Sequence, residues 1–153
     1  MLLFIDDATR HMDEYILKYK SEGLEKFCEW KALGEKESGK QVKRFRNDGG
    51  GEYTSKTFTE YLKSEGILQK ANMPYTPQSN GVVKWANRMI MERVQCMLDH
   101  AGLSKKYWAF AVSASVWFKN HTPTRSAVGK TPNEAWHGSK PIMKHLRVVG
   151  CLA

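Results

Sequence analysis

Carboxylates are scarce in the second half of this 153-residue chain: residues 81–153 hold 3 Asp/Glu against 11 Lys/Arg, while residues 1–80 hold 13 of each. The net charge of +8 therefore lies C-terminal to residue 80. That asymmetry points to an anionic partner, polyphosphate backbone foremost; the plain alternative is a solvated surface that keeps the protein soluble. Cysteine is sparse too. Cys28, Cys96 and Cys151 are odd in number and far apart, so they read as buried thiols in a reducing compartment rather than a disulfide framework. His11, His100, His121, His137 and His145 show no zinc spacing with them. No apolar run reaches the roughly 18–20 residues of a membrane span, and the N-terminus has no basic region ahead of an apolar one, so neither anchor nor signal peptide is expected. Repeats and low-complexity tracts are absent. What remains is one globular domain, long enough to bury roughly 70% of its unfolded surface.

The most informative stretch is KRFRNDGGGEYTS, residues 43–55. Apolar Val42 and Phe45 alternate with basic Lys43, Arg44 and Arg46, which predicts a short strand running into Asn47, Asp48 and three glycines. Glycine leaves no side chain in the way, so a metal ion or a phosphate can approach the Asp48 carboxylate closely. Thr54 or Ser55 then caps a helix with apolar Phe58, Tyr61 and Leu62, ended by Gly66. An αβ turn in which Asp48 only caps explains the same residues equally well.

Upstream, residues 2–5 read as a buried strand, residues 6–10 as a turn, and Tyr15, Ile16 and Leu17 as the end of a second strand. Asp13 and Glu14 are adjacent there, so one of them must face inward, leaving a frayed hairpin or a wet edge. Ser21 caps a helix with apolar Leu24, Phe27, Cys28 and Leu33 and a polar exit over 35–40. Downstream, residues 67–71 predict a further strand and residues 72–81 a Pro/Ser/Asn/Gly-rich loop. Asn80 caps a long helix ending near His100, with Gly102 just beyond it. Val83, Ala86, Ile90, Val94, Met97 and Leu98 make its buried face; Lys84, Asn87, Arg88 and Met91 fall opposite, and Trp85 is an exposed candidate for stacking on an unpaired base. Ser104 caps the next helix, apolar nearly all round through Tyr107, Trp108, Phe110, Val112, Val116, Trp117 and Phe118, hence buried on two sides. Thr131-Pro132-Asn133-Glu134 is a capping box leading into Ala135 and Trp136.

Residues 43–55 together with PYTPQSNGVVKWANR (74–88) resemble the catalytic core of copia-type retrotransposon integrases, whose pattern runs approximately RSDNGGEY-T-S and then PYTPQQNGVAERKNR. FIDDATR (4–10), GKTPNEAWHGSKP (129–141) and HLRVVGC (145–151) extend the resemblance over nearly the whole chain. It implies an α/β, RNase H-like (retroviral integrase-type) core over residues 1–140, followed by long helices and a basic boundary segment over 141–153. It also implies DNA integration with Mg²⁺ held by two Asp and one Glu. Of these, Asp48 is retained, Lys84 stands at the Glu position, and the strand that carries the first Asp is not in this chain; Asp6 and Asp7 align outside the triad. Tyr75, Gln78, Asn80, Lys84, Asn87 and Arg88 match nucleic-acid-contacting positions of the family.

One carboxylate of three implies a catalytically silent core that keeps a sequence-independent, salt-sensitive DNA-binding surface and has no productive Mg²⁺ site. Homodimerisation through the helices around 108–118 and a nuclear place of action also follow from the resemblance. Two alternatives stand beside this reading: an active Mg²⁺-dependent strand transferase completed by upstream sequence or a partner chain, and a repurposed protein-interaction module using the 108–118 helix. Loss of the central strand predicts either that the two flanking strands close up or that the chain is marginally stable.

Overall fold

In the computed structural model the described residues are 1–47, 50–71, 81–124, 129–144 and 146–150. They fall into two compact units: Met1 with residues 3–16 and 83–153, and Leu2 with residues 17–82.

In the first unit, β1 (Leu2–Ile5) and β2 (Met12–Tyr15) form a hairpin. Asp6 closes its turn: the Thr9 N–H and Thr9 hydroxyl both donate to Asp6 Oδ2 at 2.7 Å, and Asp6 N–H donates to the His11 carbonyl at 2.9 Å. Arg10 sits at φ 63° and reaches Asp7 Oδ1 at 2.6 Å. Both Asp6 and Asp7 side chains thus shape the turn. The second strand stops at Tyr15 instead of running on through Leu17.

The adjacent acidic pair is accommodated by polar neighbours. Asp13 lies 3.5 Å from Nδ1 of buried His11, which stacks on Trp136 at 5.0 Å between ring centroids. Glu14 is half-buried, and loss of water raises its carboxyl above the usual range, against the opposing pull of a hydrogen bond with Ser113. A carboxyl raised in the fold binds more protons there than in the unfolded chain. Stability therefore falls as pH rises from the ordinary carboxylate range through the raised value. Glu14→Gln is expected to abolish that fall and to raise the urea midpoint at neutral pH; an unchanged midpoint difference between acid and neutral pH would count against it.

Two helices cover the hairpin. α4 (Gly81–His100) buries Ala86, Ile90, Val94 and Leu98, and α5 (Trp108–Asn120) buries Ala111, Val112 and Val116; with Met12 they form one core. Each large aliphatic side chain so placed contributes about 1.5–3 kcal/mol. Val83, expected inside, is exposed. At the end of α4, Gly102 takes φ 62° and Leu103 N–H donates to the Leu98 carbonyl at 2.9 Å, as a glycine stop requires. Ser104 precedes a 3-10 turn (Lys105–Tyr107) and makes no side-chain cap.

α5 departs furthest from expectation. Its inward face carries Ser115, Lys119 and Asn120 beside the aliphatic residues, whereas Phe110 is 75% exposed and Tyr107 and Trp108 face solvent as well. Asn120 explains part of this. Its Oδ1 accepts from Met12 N–H at 2.9 Å and its Nδ2 donates to the Met12 carbonyl at 2.7 Å, so an amide side chain pairs with β2 as a neighbouring strand would. α6 (Pro132–His137) follows the predicted box, with Glu134 N–H donating to Thr131 Oγ1 at 3.1 Å and Gly138 at φ 78° closing it.

The second unit is built on aromatic rings. α1 (Gly23–Ser38) follows a 3-10 turn (Lys20–Glu22) that contains Ser21; the chain entry is held by Glu22, whose carboxylate accepts from the Lys18 and Tyr19 N–H groups. Phe27 of α1 meets Phe45 at 4.7 Å and Phe58 at 5.4 Å between centroids, and Tyr53 meets Phe58 at 5.6 Å. Leu33, by contrast, is exposed. Phe45 lies on β3 (Arg44–Asn47), where Phe45 and Asn47 point in and Arg44 and Arg46 point out. After a single turn, α2 (Gly51–Thr54), Ser55 caps α3 (Lys56–Ser64) by accepting from Phe58 N–H at 3.3 Å. Gly66, at φ 68°, ends α3, and β4 (Leu68–Ala71) then pairs in parallel with β3, Arg44 opposite Leu68 and Asn47 opposite Ala71. Lys31 reaches both Glu35 and Glu65 at 2.9 Å, bracing α1 against the end of α3.

Among the described residues four strands make two two-stranded sheets, β1 with β2 and β3 with β4.

Candidate nucleic-acid interface

The i, i+4 stripe of Ala86, Ile90, Val94 and Leu98 fixes which side of α4 faces the core. Lys84, Trp85, Arg88 and Met91 are consequently held outward, all exposed, while Asn87 is half-buried at the margin. Arg88 follows Lys84 by one turn, so two cations stand on one solvent-facing strip about 6 Å apart at Cβ. Trp85, on the same strip, is 56% exposed. Asp48, Tyr75, Gln78 and Asn80 lie outside the described residues; β3 ends at Asn47, one residue before Asp48.

Beneath Trp85 lies a feature that the sequence reading did not single out. Lys119 of α5 is only 6% exposed, and its Nζ sits 5.9 Å from the centroid of the Trp85 ring. Burial, and then the nearby Arg93 guanidinium, lower the Lys119 pKa. Among the described residues no carboxylate pairs with either cation, and Arg93 Nη1 is buried without a hydrogen-bond acceptor. The spacing from Val112 and Val116 to Lys119 follows one helix face, which was the signal available in the sequence.

An amine whose pKa is lowered in the fold makes the protein less stable wherever the ammonium persists. Stability should rise with pH through the lowered value towards the ordinary lysine range. Lys119→Met is expected to raise the urea midpoint at neutral pH and to remove that alkaline gain; a lower midpoint would show that the ring and its cation stabilise the fold.

No family model matches the chain. It is, however, 42% identical over 150 residues to the Retrovirus-related Pol polyprotein from transposon TNT 1-94 of Nicotiana tabacum, a match covering 98% of this chain and 11% of that protein. The polyprotein from transposon RE1 of Arabidopsis thaliana is 33% identical over 98% of this chain and 10% of its own length. Among solved structures, the HTLV-2 integrase catalytic core domain in complex with magnesium superposes with a TM-score of 0.66 at 21% identity, covering 88% of this chain and 82% of that one. The BIV integrase catalytic core domain gives 0.62 at 19% identity, over 88% of this chain and 82% of its own. A chain of the simian T-cell lymphotropic virus intasome gives 0.69 at 20% identity, over 99% of this chain and 58% of its own. The chain matches a segment of retrotransposon Pol polyproteins and has the fold of a retroviral integrase catalytic core. It spans about a tenth of the length of those plant polyproteins.

Lys84, which the resemblance aligns with the family's Glu, stands in solvent on α4. An ammonium has no lone pair to offer a cation. Among the described residues no group of three His, Cys, Asp or Glu side chains is placed to hold a metal ion. Asp6 is engaged by Thr9 and Asp7 by Arg10.

Proposed function

We propose that this integrase core is catalytically silent and binds nucleic acid through the outer face of α4, acting in the nucleus on DNA without sequence preference. The observation that carries the reading is the exposed strip of Lys84, Trp85 and Arg88, with a cation where a metal ligand would be needed. Binding dominated by phosphate contacts falls steeply with salt, and each lost contact lowers the slope of log K against log salt by about one. Fluorescence anisotropy with a labelled oligonucleotide is expected to show that dependence, with Lys84→Ala and Arg88→Ala each flattening it. A salt-independent affinity would remove the proposal. Mg²⁺-dependent nicking of a DNA end, abolished in Asp48→Ala, would replace it with the active strand-transferase reading.

A second reading draws on Leu103, Tyr107, Trp108 and Phe110, all exposed around the start of α5. Such a patch suits self-association into a homodimer. Sedimentation is expected to show a dimer that Phe110→Ser dissociates; a monomer at all concentrations excludes it.

A further inference from the structure

We propose that Trp85 is a stacking platform for an unpaired base, making the α4 face selective for single-stranded over fully paired nucleic acid. The inference rests on the nucleic-acid reading above and narrows its substrate class.

Three observations carry it. First, Trp85 is 56% exposed, more than Val82, Val83 or Met91, the other exposed large apolar residues of α4. Second, the ring is backed: buried Lys119 holds its ammonium 5.9 Å from the indole centroid, an attraction that opposes rotation of the ring. The solvent-facing part of the indole stays open. Third, the neighbours are cationic: Lys84 precedes the ring and Arg88 follows it by three residues, both exposed. The nearest acidic side chain on that strip is Glu92, seven residues on and two turns away. An apolar protein partner would have to desolvate both cations to reach the ring, whereas a nucleotide strand pairs its phosphates with them and lays a base on the indole. Bases in a duplex are already stacked on each other and offer no free face. The phosphate contacts are shared by both forms, and the stacking contact belongs to the single strand.

The test uses the whole chain with labelled oligonucleotides of equal length at one salt concentration: a single-stranded oligothymidylate, its ribose counterpart, a duplex, and a single strand with abasic sites. The wild type should prefer either single strand over the duplex and lose that preference on the abasic strand. Trp85→Ala should weaken single-strand binding roughly 5- to 150-fold and duplex binding far less, while Trp85→Phe, which keeps an aromatic face, retains most of the affinity. Because the side chain is largely exposed, both variants should keep the wild-type circular dichroism spectrum. Equal weakening of single strand and duplex by Trp85→Ala, or full affinity for the abasic strand, overturns the stacking platform and leaves the phosphate-binding face standing. Loss of self-association in Trp85→Ala with unchanged nucleic-acid binding assigns the ring to a protein partner and overturns it too. No binding of any oligonucleotide at low salt overturns both this proposal and the reading beneath it.

Discussion

Phe27→Ala is expected to destabilise the protein by about 3–5 kcal/mol, the range for removing a buried aromatic ring. The side chain is fully buried and its ring stands within 6.2 Å, centroid to centroid, of Trp30, Phe45, Phe58 and Tyr61. Its removal opens a cavity lined by rigid rings drawn from α1, β3 and α3, which close poorly because each is held on its own element. Edge and tilted ring contacts add about 0.5–1.5 kcal/mol per pair beyond burial, so losing several at once places the substitution at the upper end. A natural domain has about 5–15 kcal/mol in all, and a two-stranded parallel sheet has little else to hold it. Hydrogen exchange should speed up in α1, β3 and α3, and the urea midpoint should fall sharply. A loss below about 1 kcal/mol would mean that the cluster collapses around the gap and that the rings are not the organising core.

The rings were legible in the sequence because their signal is local. Phe45 declares itself by alternation with Arg44 and Arg46, and Phe58 with Leu62 by helical spacing behind the Ser55 cap. The stops at Gly66 and Gly102 were legible for the same reason: positive φ is a demand on one residue. α5 shows where such reading fails. When apolar residues surround a helix, spacing no longer says which side turns inward, and here Phe110 is left in water while Lys119 and Asn120 go in. What decides that choice is a hydrogen-bond demand 108 residues away, at Met12, which no window along the chain contains. The site was legible in part. Lys84 and Arg88 follow from the phase of α4, whereas the cation beneath Trp85 depends on how α4 and α5 pack.

Asn120→Asp is expected to be the second most damaging change, and its cost should depend on pH. The carboxylate can still accept from Met12 N–H, but it can no longer donate to the Met12 carbonyl and instead sets a buried negative charge against that oxygen. Leaving a buried acceptor unpaired costs about 1–3 kcal/mol, and burying the charge adds to it. Burial beside a carbonyl raises the pKa of the introduced carboxyl, so the fold binds its proton more tightly than the unfolded chain does. Stability of the variant should thus fall as pH rises through that value and recover on acidification, when a neutral acid can donate where the amide did. Asn120→Leu, which lacks both groups, should lose stability without that added pH dependence. Urea midpoints of the two variants at about pH 4 and about pH 7, bracketing the carboxylate range, distinguish them. Parallel behaviour of Asp and Leu would show that the side chain acts by filling space, and that β2 draws no strand-like pairing from α5.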